Sequence, residues 1–414
     1  MTSLEGWSST IELHPQAIGG QSPAKDRCFI SSLGCGINPL CQSPCLTPDA
    51  GLGKLLRQMR GWPQRLLQWY ARHKRVMPWR GHPDPYAVWV SEIMLQQTRV
   101  DTVRPYFARF LQRFPSVSGL ADAPMEDLLK TWEGLGYYSR ARNLQKAARE
   151  IAAAHGGQLP RSAAALEQLP GIGPYTAAAI ASICFGERVP VVDGNVARVF
   201  SRLLGWRDDF TNPAPRQKLA DWIAPQFPRT VHPGDLNQAM MELGALVCTP
   251  QTPDCPTCPL RSFCHAKRTG TQDALPVRPA RKTIPTRHFV AMAIRRRGRV
   301  LLRKRGEAGR LLGGFWELPV EPVSNEMPSP KSVADAMRKQ TGLTLRNLSE
   351  IGELVHVFTH FRLRLTIFTC KQVSGRLRPG ASAALRWADA KELARLPVAT
   401  AHRRAIEQAG CCVT

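Results

Sequence analysis

Two folded domains, a mainly helical one followed by an α+β one, are what this chain predicts, and three observations carry the reading. Between residues 56 and 269 apolar residues recur at helical spacing, as in "LLKTWEGLGYYSRARNLQKAAREIAAAHGG", where Gly156 and Gly157 act as the stop. Residues 270–286, "GTQDALPVRPARKTIPT", hold three prolines and no apolar period, and read as a linker. From residue 287 to 414 the period becomes two, in "HFVAMAI", a turn at Arg297 and Gly298, "VLLRKR", and later "HFRLRLTIF". A chain of 414 residues exceeds what one core ordinarily supports, which agrees with the division.

Composition bounds the rest. A hydrophobic fraction of 43% with 21% charged residues belongs to a folded protein, not a disordered one. Residues 1–55 are the exception: rich in Gly, Ser and Pro, they read as a loosely packed extension. Its Cys28, Cys35, Cys41 and Cys45 match no firm ligand spacing and are read as incidental in preference to a metal knuckle. No apolar run approaches ~18 residues and no secretory signal is legible, so a soluble intracellular protein is expected. In that compartment thiols stay reduced, and clustered cysteines point to a metal or to catalysis. The net charge of +24, with a pI near 10.2, favours a polyanionic partner. Nucleic acid is the first candidate and an anionic membrane the second, while part of the excess is accounted for by a solvated basic surface.

"LGALVCTPQTPDCPTCPLRSFC" sets Cys248, Cys255, Cys258 and Cys264 at gaps of six, two and five residues, stiffened by Pro250, Pro253, Pro256 and Pro259. Tetrahedral zinc usually takes two short pairs of ligands. One short pair between longer gaps suits a cuboidal iron–sulfur cluster better. "LPGIGPYTAAAIASI" places a Gly-x-Gly before an Ala-rich helix, leaving the amides of Gly171 and Gly173 at a helix start, where they suit a phosphate. An ordinary helix-to-helix turn is the plainer reading of that stretch alone.

Two carboxylates stand out. Glu92 sits amid Trp89, Val90, Ile93, Met94 and Leu95, a setting that raises a carboxyl's pKa and suits a general acid. Asp193 precedes a helix whose apolar face is Val196, Val199, Phe200 and Leu203, where an N-cap and a catalytic anion are compatible roles. A protonated acid with an ionised partner is the arrangement that breaks glycosidic bonds.

These stretches together resemble the helix-hairpin-helix DNA glycosylases, and specifically the MutY-type adenine-specific branch with its iron–sulfur loop. "MPWRGHPDPYAVWVSEIMLQQTRV", "GLGYYSRARNLQKAA" and "NQAMMELGALVCTP" carry that closer likeness. The resemblance implies a [4Fe-4S] cluster on Cys248, Cys255, Cys258 and Cys264, with Arg261, Lys267 and Arg268 facing DNA. It implies Glu92 as the acid protonating adenine N7 and Asp193 as stabiliser of the cationic sugar, with Tyr175 and Asn195 beside them. Trp79, Arg80 and Gln238 would serve the adenine pocket, and Gln97 and Tyr137 would wedge into the duplex. A polar helix end and a core aromatic are the plain alternatives for those two. Tyr175 stands where lyase members carry a lysine, and tyrosine has no amine for a Schiff base. Ala197 stands where some members carry another lysine, so no catalytic lysine is assigned. "LLRKRGEAGRLLGGFWELP" and "SVADAMRKQTGL" resemble a Nudix domain. Before Gly342 it carries Asp335, Ala336, Lys339 and Gln340 instead of glutamates, so binding is expected there and hydrolysis is not. By the same likeness Phe358, Thr359 and His360 would read 8-oxoguanine, unless His360 is merely a surface residue.

The expected partner is therefore double-stranded DNA with an A:8-oxoguanine or A:G mispair, bound by a monomer without membrane association. A pyrimidine-specific glycosylase and lyase, a Nudix-type hydrolase and a non-catalytic DNA-binding protein remain as alternatives at this point.

Overall fold

The computed structural model describes residues 59–279, 283–306, 312–323, 328–378 and 384–411. The expected 1–55 extension, with Cys28, Cys35, Cys41 and Cys45, lies outside the described residues. In chain order the first part carries α1 (Trp62–His73), α2 (Pro85–Leu95), α3 (Val100–Arg113), α4 (Val117–Ala121), α5 (Met125–Thr131), α6 (Ser139–His155), α7 (Ala163–Leu166), α8 (Pro174–Phe185), α9 (Gly194–Leu204), α10 (Pro213–Ile223), α11 (Pro233–Leu246) and α12 (His265–Thr269). The second carries β1 (Thr286–Ala293), β2 (Arg295–Arg296), β3 (Arg299–Lys304), β4 (Trp316–Glu317), β5 (Val320–Val323), α13 (Pro330–Thr341), β6 (Leu343–Val357), β7 (Arg362–Gly375), β8 (Leu385–Ala388), α14 (Ala390–Arg395) and α15 (Thr400–Gln408). No helix among the described residues is long and apolar enough to cross a membrane.

The compact units do not follow chain order. The first gathers Met1–Lys74, described from Met59, with Val192–Val231 and Gln238–Val277; the second gathers Arg75–Val191, His232–Asn237 and Arg278–Thr414. In the first, Trp62 of α1 meets Phe200 of α9 edge to face at 5.2 Å between centroids and stacks near Trp222 of α10 at 6.4 Å. Its indole Nε1 donates to Gln226 Oε1 at 2.6 Å, so the ring is buried without an orphaned donor. The expected α9 face of Val196, Val199, Phe200 and Leu203 is buried in this core.

In the second unit α2 is buried continuously from Tyr86 to Met94, as expected of an apolar helix enclosed on all sides. Helix α6 is amphipathic instead: Leu144, Ala148 and Ile151 face the core, and Gly156 ends the helix in a left-handed conformation. The α+β part has one sheet in the order β5-β1-β7-β6 and another running β2-β3-β4 with β8 beside β3. Strand β1 alternates as its period predicts. Ala291 and Ala293 join an apolar cluster with Leu365 and Ile367, and Val290 and Met292 join another with Val333 and Met337 of α13. The α+β part also packs on the helices of its own unit: Phe315 lies 4.3 Å from Tyr138, Trp316 Nε1 donates to Glu126 Oε1 at 2.7 Å, and Arg403 pairs with Glu133 at 2.5 Å. These contacts explain why residues 75–191 group with the C-terminal part.

A polar network lies inside that part. Glu317 is fully buried between Arg303 at 2.5 Å and Arg305 at 2.7 Å, with His402 Nε2 at 3.3 Å. Burial drives the His402 imidazole down to about 4, against the pull of Glu317, and Arg305 and Arg303 push the same way as burial. For Glu317 burial alone would raise the carboxyl, and the paired guanidinium charges of Arg305 and Arg303 outweigh it. His402 thus folds neutral, while the unfolded chain binds a proton below the ordinary value of 6.5. Stability is therefore expected to be lost as pH falls from about 6.5 to about 4 and to be insensitive to this group above that window. Thermal unfolding across that range checks it: His402→Gln should flatten the slope, and an unaltered slope would assign the dependence elsewhere.

Candidate functional site

In the second unit, Asp84 caps α2 by accepting from the Tyr86 amide at 2.9 Å, and Pro85 fixes the first helical turn. Two turns on, Glu92 is 6% exposed and its Oε2 accepts a hydrogen bond from Tyr175 Oη at 3.0 Å. Tyr175 projects from the first turn of α8, and Gln96 Nε2 donates to the next residue, Thr176, at 3.1 Å. Burial, then the charges of Glu92 and Asp84, push the nearby Cys184 thiol up to about 12, which leaves it inert as a nucleophile.

The α2 exit is unusual backbone. Gln97 has φ of 57° and is exposed; Tyr137, in the Gly-Leu-Gly-Tyr-Tyr turn, has φ of 44° and is 44% exposed. Left-handed conformations cost non-glycine residues free energy and tend to be kept at functional positions. The alternative of a core aromatic at Tyr137 does not apply. Arg140, which the sequence reading missed, joins these two segments. From a 7% exposed position its Nη1 donates to the carbonyls of Ile93 at 3.0 Å, Met94 at 2.8 Å and Gln96. Its Nη2 donates to the carbonyls of Leu135 at 3.1 Å and Gly136 at 3.3 Å. Burial holds this guanidinium down to about 10, still charged at neutrality. A substitution at Gly134 is strained in that turn, since its φ is 103° and a Cβ would fall 2.2 Å from Tyr106 Oη, displacing that side chain.

Tyr137 also meets the α+β part of its unit, where Thr359 Oγ1 donates to its Oη at 3.2 Å. The Thr359 and His360 side chains are both exposed, in the tight turn that Phe358 N closes on the Phe361 carbonyl at 2.9 Å. Arg80 is half-buried and anchored on the Arg75 carbonyl at 2.7 Å. Trp79 is 6% exposed, packed edge to face on Phe107 at 5.3 Å within the apolar core cluster. An indole next to an arginine turn is drawn inward by its own apolar area.

At the hairpin, Gly171 has φ of 78°, and a Cβ there would lie 2.6 Å from Asn143 Cβ, so glycine is required. Gly173 caps α8 without such crowding. Among the described residues neither amide has a protein partner, which leaves both available to a phosphate oxygen.

In the first unit, Asp193 caps α9: Oδ1 accepts from the Val196 amide at 2.7 Å and Oδ2 from Asn195 Nδ2 at 2.9 Å. Asn195 Oδ1 in turn accepts from Arg198 Nη2 at 2.8 Å. Burial raises the Asp193 carboxyl, while the Val196 and Asn195 hydrogen bonds and the Arg198 charge oppose that rise. Gln238 lies half-buried in α11.

The four cysteines are free thiols in a non-helical loop. Arg202, 2% exposed and also missed from sequence, holds that loop. Its Nη1 donates to the Thr249 carbonyl at 2.7 Å and to Cys248 Sγ at 3.4 Å, and Nη2 to the Pro250 carbonyl at 3.1 Å. Burial first, then charge on Cys248, Cys264 or Cys255, against a hydrogen bond from the Leu260 backbone, pushes the Cys258 thiol up to about 12. The four sulfurs therefore sense one another, and as thiolates they require a cationic centre. Among the described residues no three His, Cys, Asp or Glu side chains are gathered around a single metal ion. Four cysteine sulfurs on one loop, close enough for charge on one to shift another, are a soft donor set of the kind that thiolate-held metal centres use. Arg261, Lys267 and Arg268 are exposed beside the loop.

Comparison with known proteins adds two family matches. Residues 90–225 match the HhH-GPD superfamily base excision DNA repair protein model, and residues 290–408 match a NUDIX domain. The adenine DNA glycosylase of Homo sapiens is 48% identical over 220 residues, 51% of this chain and 40% of that protein. That of Mus musculus is 48% identical over 226 residues, 52% of this chain and 44% of that protein. That of Buchnera aphidicola subsp. Acyrthosiphon pisum (strain APS) is 37% identical over 246 residues, 59% of this chain and 70% of that protein. The match thus spans less than half of the two mammalian relatives.

Proposed function

The chain belongs to the adenine DNA glycosylase family, and from that premise we propose that it hydrolyses the N-glycosidic bond of adenine mispaired with 8-oxoguanine or guanine in duplex DNA. The observation that carries the reading is Glu92, a carboxyl 6% exposed within an apolar helix and bonded to Tyr175 Oη. Adenine leaves poorly as an anion, so the acid's task is to deliver a proton to N7 while the sugar bond breaks. Asp193, an anion site with its oxygens held by Val196 and Asn195, is assigned to the cationic sugar. Water completes the reaction at C1′. Tyr175 offers no amine, so strand cleavage by a Schiff base is not part of the activity.

The base must leave the stack first, at a cost of roughly a few kcal/mol. Gln97 and Tyr137, exposed on left-handed backbone, are assigned to fill the gap, Arg80 and Gln238 to line the adenine pocket, and the Gly171 and Gly173 amides to hold a phosphate. Thr359 and His360 are assigned to the opposite base. Cys248, Cys255, Cys258 and Cys264 would hold a [4Fe-4S] cluster, whose contribution is to fix the loop bearing Arg261, Lys267 and Arg268. The protein acts as an intracellular monomer in this reading. Iron and acid-labile sulfide in anaerobically prepared protein test the cluster; zinc alone would exclude it.

Single-turnover excision from matched duplexes, with and without hot alkali, tests the activity. Breaks are expected only after alkali, and faster for A:8-oxoguanine than for A:G. Thr359→Ala with His360→Ala should narrow that gap roughly 10-fold, as hydrogen bonds worth ~1–3 kcal/mol per base contact would predict. Breaks without alkali would replace hydrolysis with lyase chemistry.

A further inference from the structure

The C-terminal end of α13 and the chain following β7 form a basic hollow that includes Asp335, Lys339 and Gly342 of the Nudix-like stretch but none of the residues assigned to the mispair. Arg338, Lys339, Arg376 and Arg378 line it with Gly342 and Leu377, against a single lining carboxylate, Asp335. Arg296, from the β2 strand, reaches the same edge by donating to the Gly375 carbonyl at 3.4 Å. All five cations are exposed, and among the described residues none is ion-paired. The hollow is a built surface. Arg378 N donates to the Thr341 carbonyl at 2.9 Å and its Nη1 to the Lys339 carbonyl at 3.2 Å. A Cβ on Gly342 would meet the Arg376 carbonyl at 2.8 Å, so helix end and strand exit are pressed together.

Helix-end charge accounts for part of this. Arg338 and Lys339 stand in the last turn of α13, where cations are favoured by the helix dipole. Arg296, Arg376 and Arg378 come from other segments and gain nothing from that dipole. Their convergence concentrates like charge, which is costly unless a polyanion meets it.

The β6–β7 hairpin fixes where that surface lies. Its turn carries Thr359 and His360, and its open end pairs Leu343 with Gly375, next to Arg376. Strand β7 runs 14 residues between them, roughly 46 Å at about 3.3 Å per residue. We propose that this hollow is a second DNA contact, binding the phosphate backbone of the same duplex about 14 base pairs from the lesion, at about 3.4 Å per pair, where the duplex runs along β7. The inference rests on the proposed DNA substrate. It concerns affinity and footprint, not chemistry.

Duplex length separates it from the lesion site. A 16-base-pair duplex with a central A:8-oxoguanine pair extends only ~27 Å each way and misses the hollow; a 50-base-pair duplex reaches it. The protein with Arg338→Gln, Lys339→Gln, Arg376→Gln and Arg378→Gln should lose about 2–4 from the slope of log affinity against log salt on the long duplex, at ~0.9 per phosphate contact. On the short duplex the slope and the single-turnover excision rate should be those of the unaltered protein, which also shows that the variant is folded. An unchanged slope on the long duplex, or an equal loss on both, overturns the proposal. Failure of the unaltered protein to excise adenine from the short duplex would instead sink the proposed function, leaving the slope comparison readable.

Discussion

Glu92→Gln is expected to slow adenine excision by ~10²–10⁴, the range that general acid catalysis supplies, while binding of the mispaired duplex persists. Glutamine matches the carboxyl in size, and its amide oxygen still accepts from Tyr175 Oη, which lies 3.0 Å away in the parent protein. The substitution deletes the transferable proton while keeping that contact. Single-turnover rates on A:8-oxoguanine duplex, with affinity measured separately, read the effect. Near-normal excision by a folded Glu92→Gln protein would remove Glu92 from the mechanism.

Asp193→Asn should cost ~10²–10³ in the same rate, the scale on which a preorganised electrostatic group contributes to a charged transition state. This residue has two jobs that must be separated. Its Oδ1 caps α9 through the Val196 amide at 2.7 Å. Asparagine keeps one acceptor for the Val196 amide but turns its Nδ2 toward the Asn195 Nδ2 donor, so a stability loss of about 1 kcal/mol should accompany the rate loss. Asp193→Ala removes both jobs and should lose about 1 kcal/mol more stability with no further loss of rate. Equal rates for parent and Asp193→Asn would reduce Asp193 to a helix cap.

Much of this was legible along the chain because it is local. The switch from helical to alternating period marks the two fold classes, and Gly156 and Gly171 stand where left-handed turns require glycine. The burial of Glu92 follows from its apolar neighbours, since every side of α2 is covered. Other features have no local signature. Arg140 and Arg202 look like any surface arginine, yet each is buried with its guanidinium spread over backbone carbonyls, groups that every residue offers and no sequence advertises. The Thr359 to Tyr137 hydrogen bond joins residues 222 positions apart, which no periodicity encodes. Trp79 belongs with them, since nothing in the local sequence shows that its indole packs on Phe107 in the core.

The first unit's assembly from three separated stretches bears on how the protein is made. Trp62 finds Phe200, Trp222 and Gln226 only after those residues exist, and its indole hydrogen bond spans 164 positions. At ~5–20 residues per second, helix α1 waits roughly 8–30 s after leaving the ribosome before its partner is synthesised. During that wait Trp62, Leu66 and Tyr70 are an unsheltered apolar stripe. Helix α1 thus stays uncovered longer than α9 or α10 of the same unit, because the residues that bury it are translated after it.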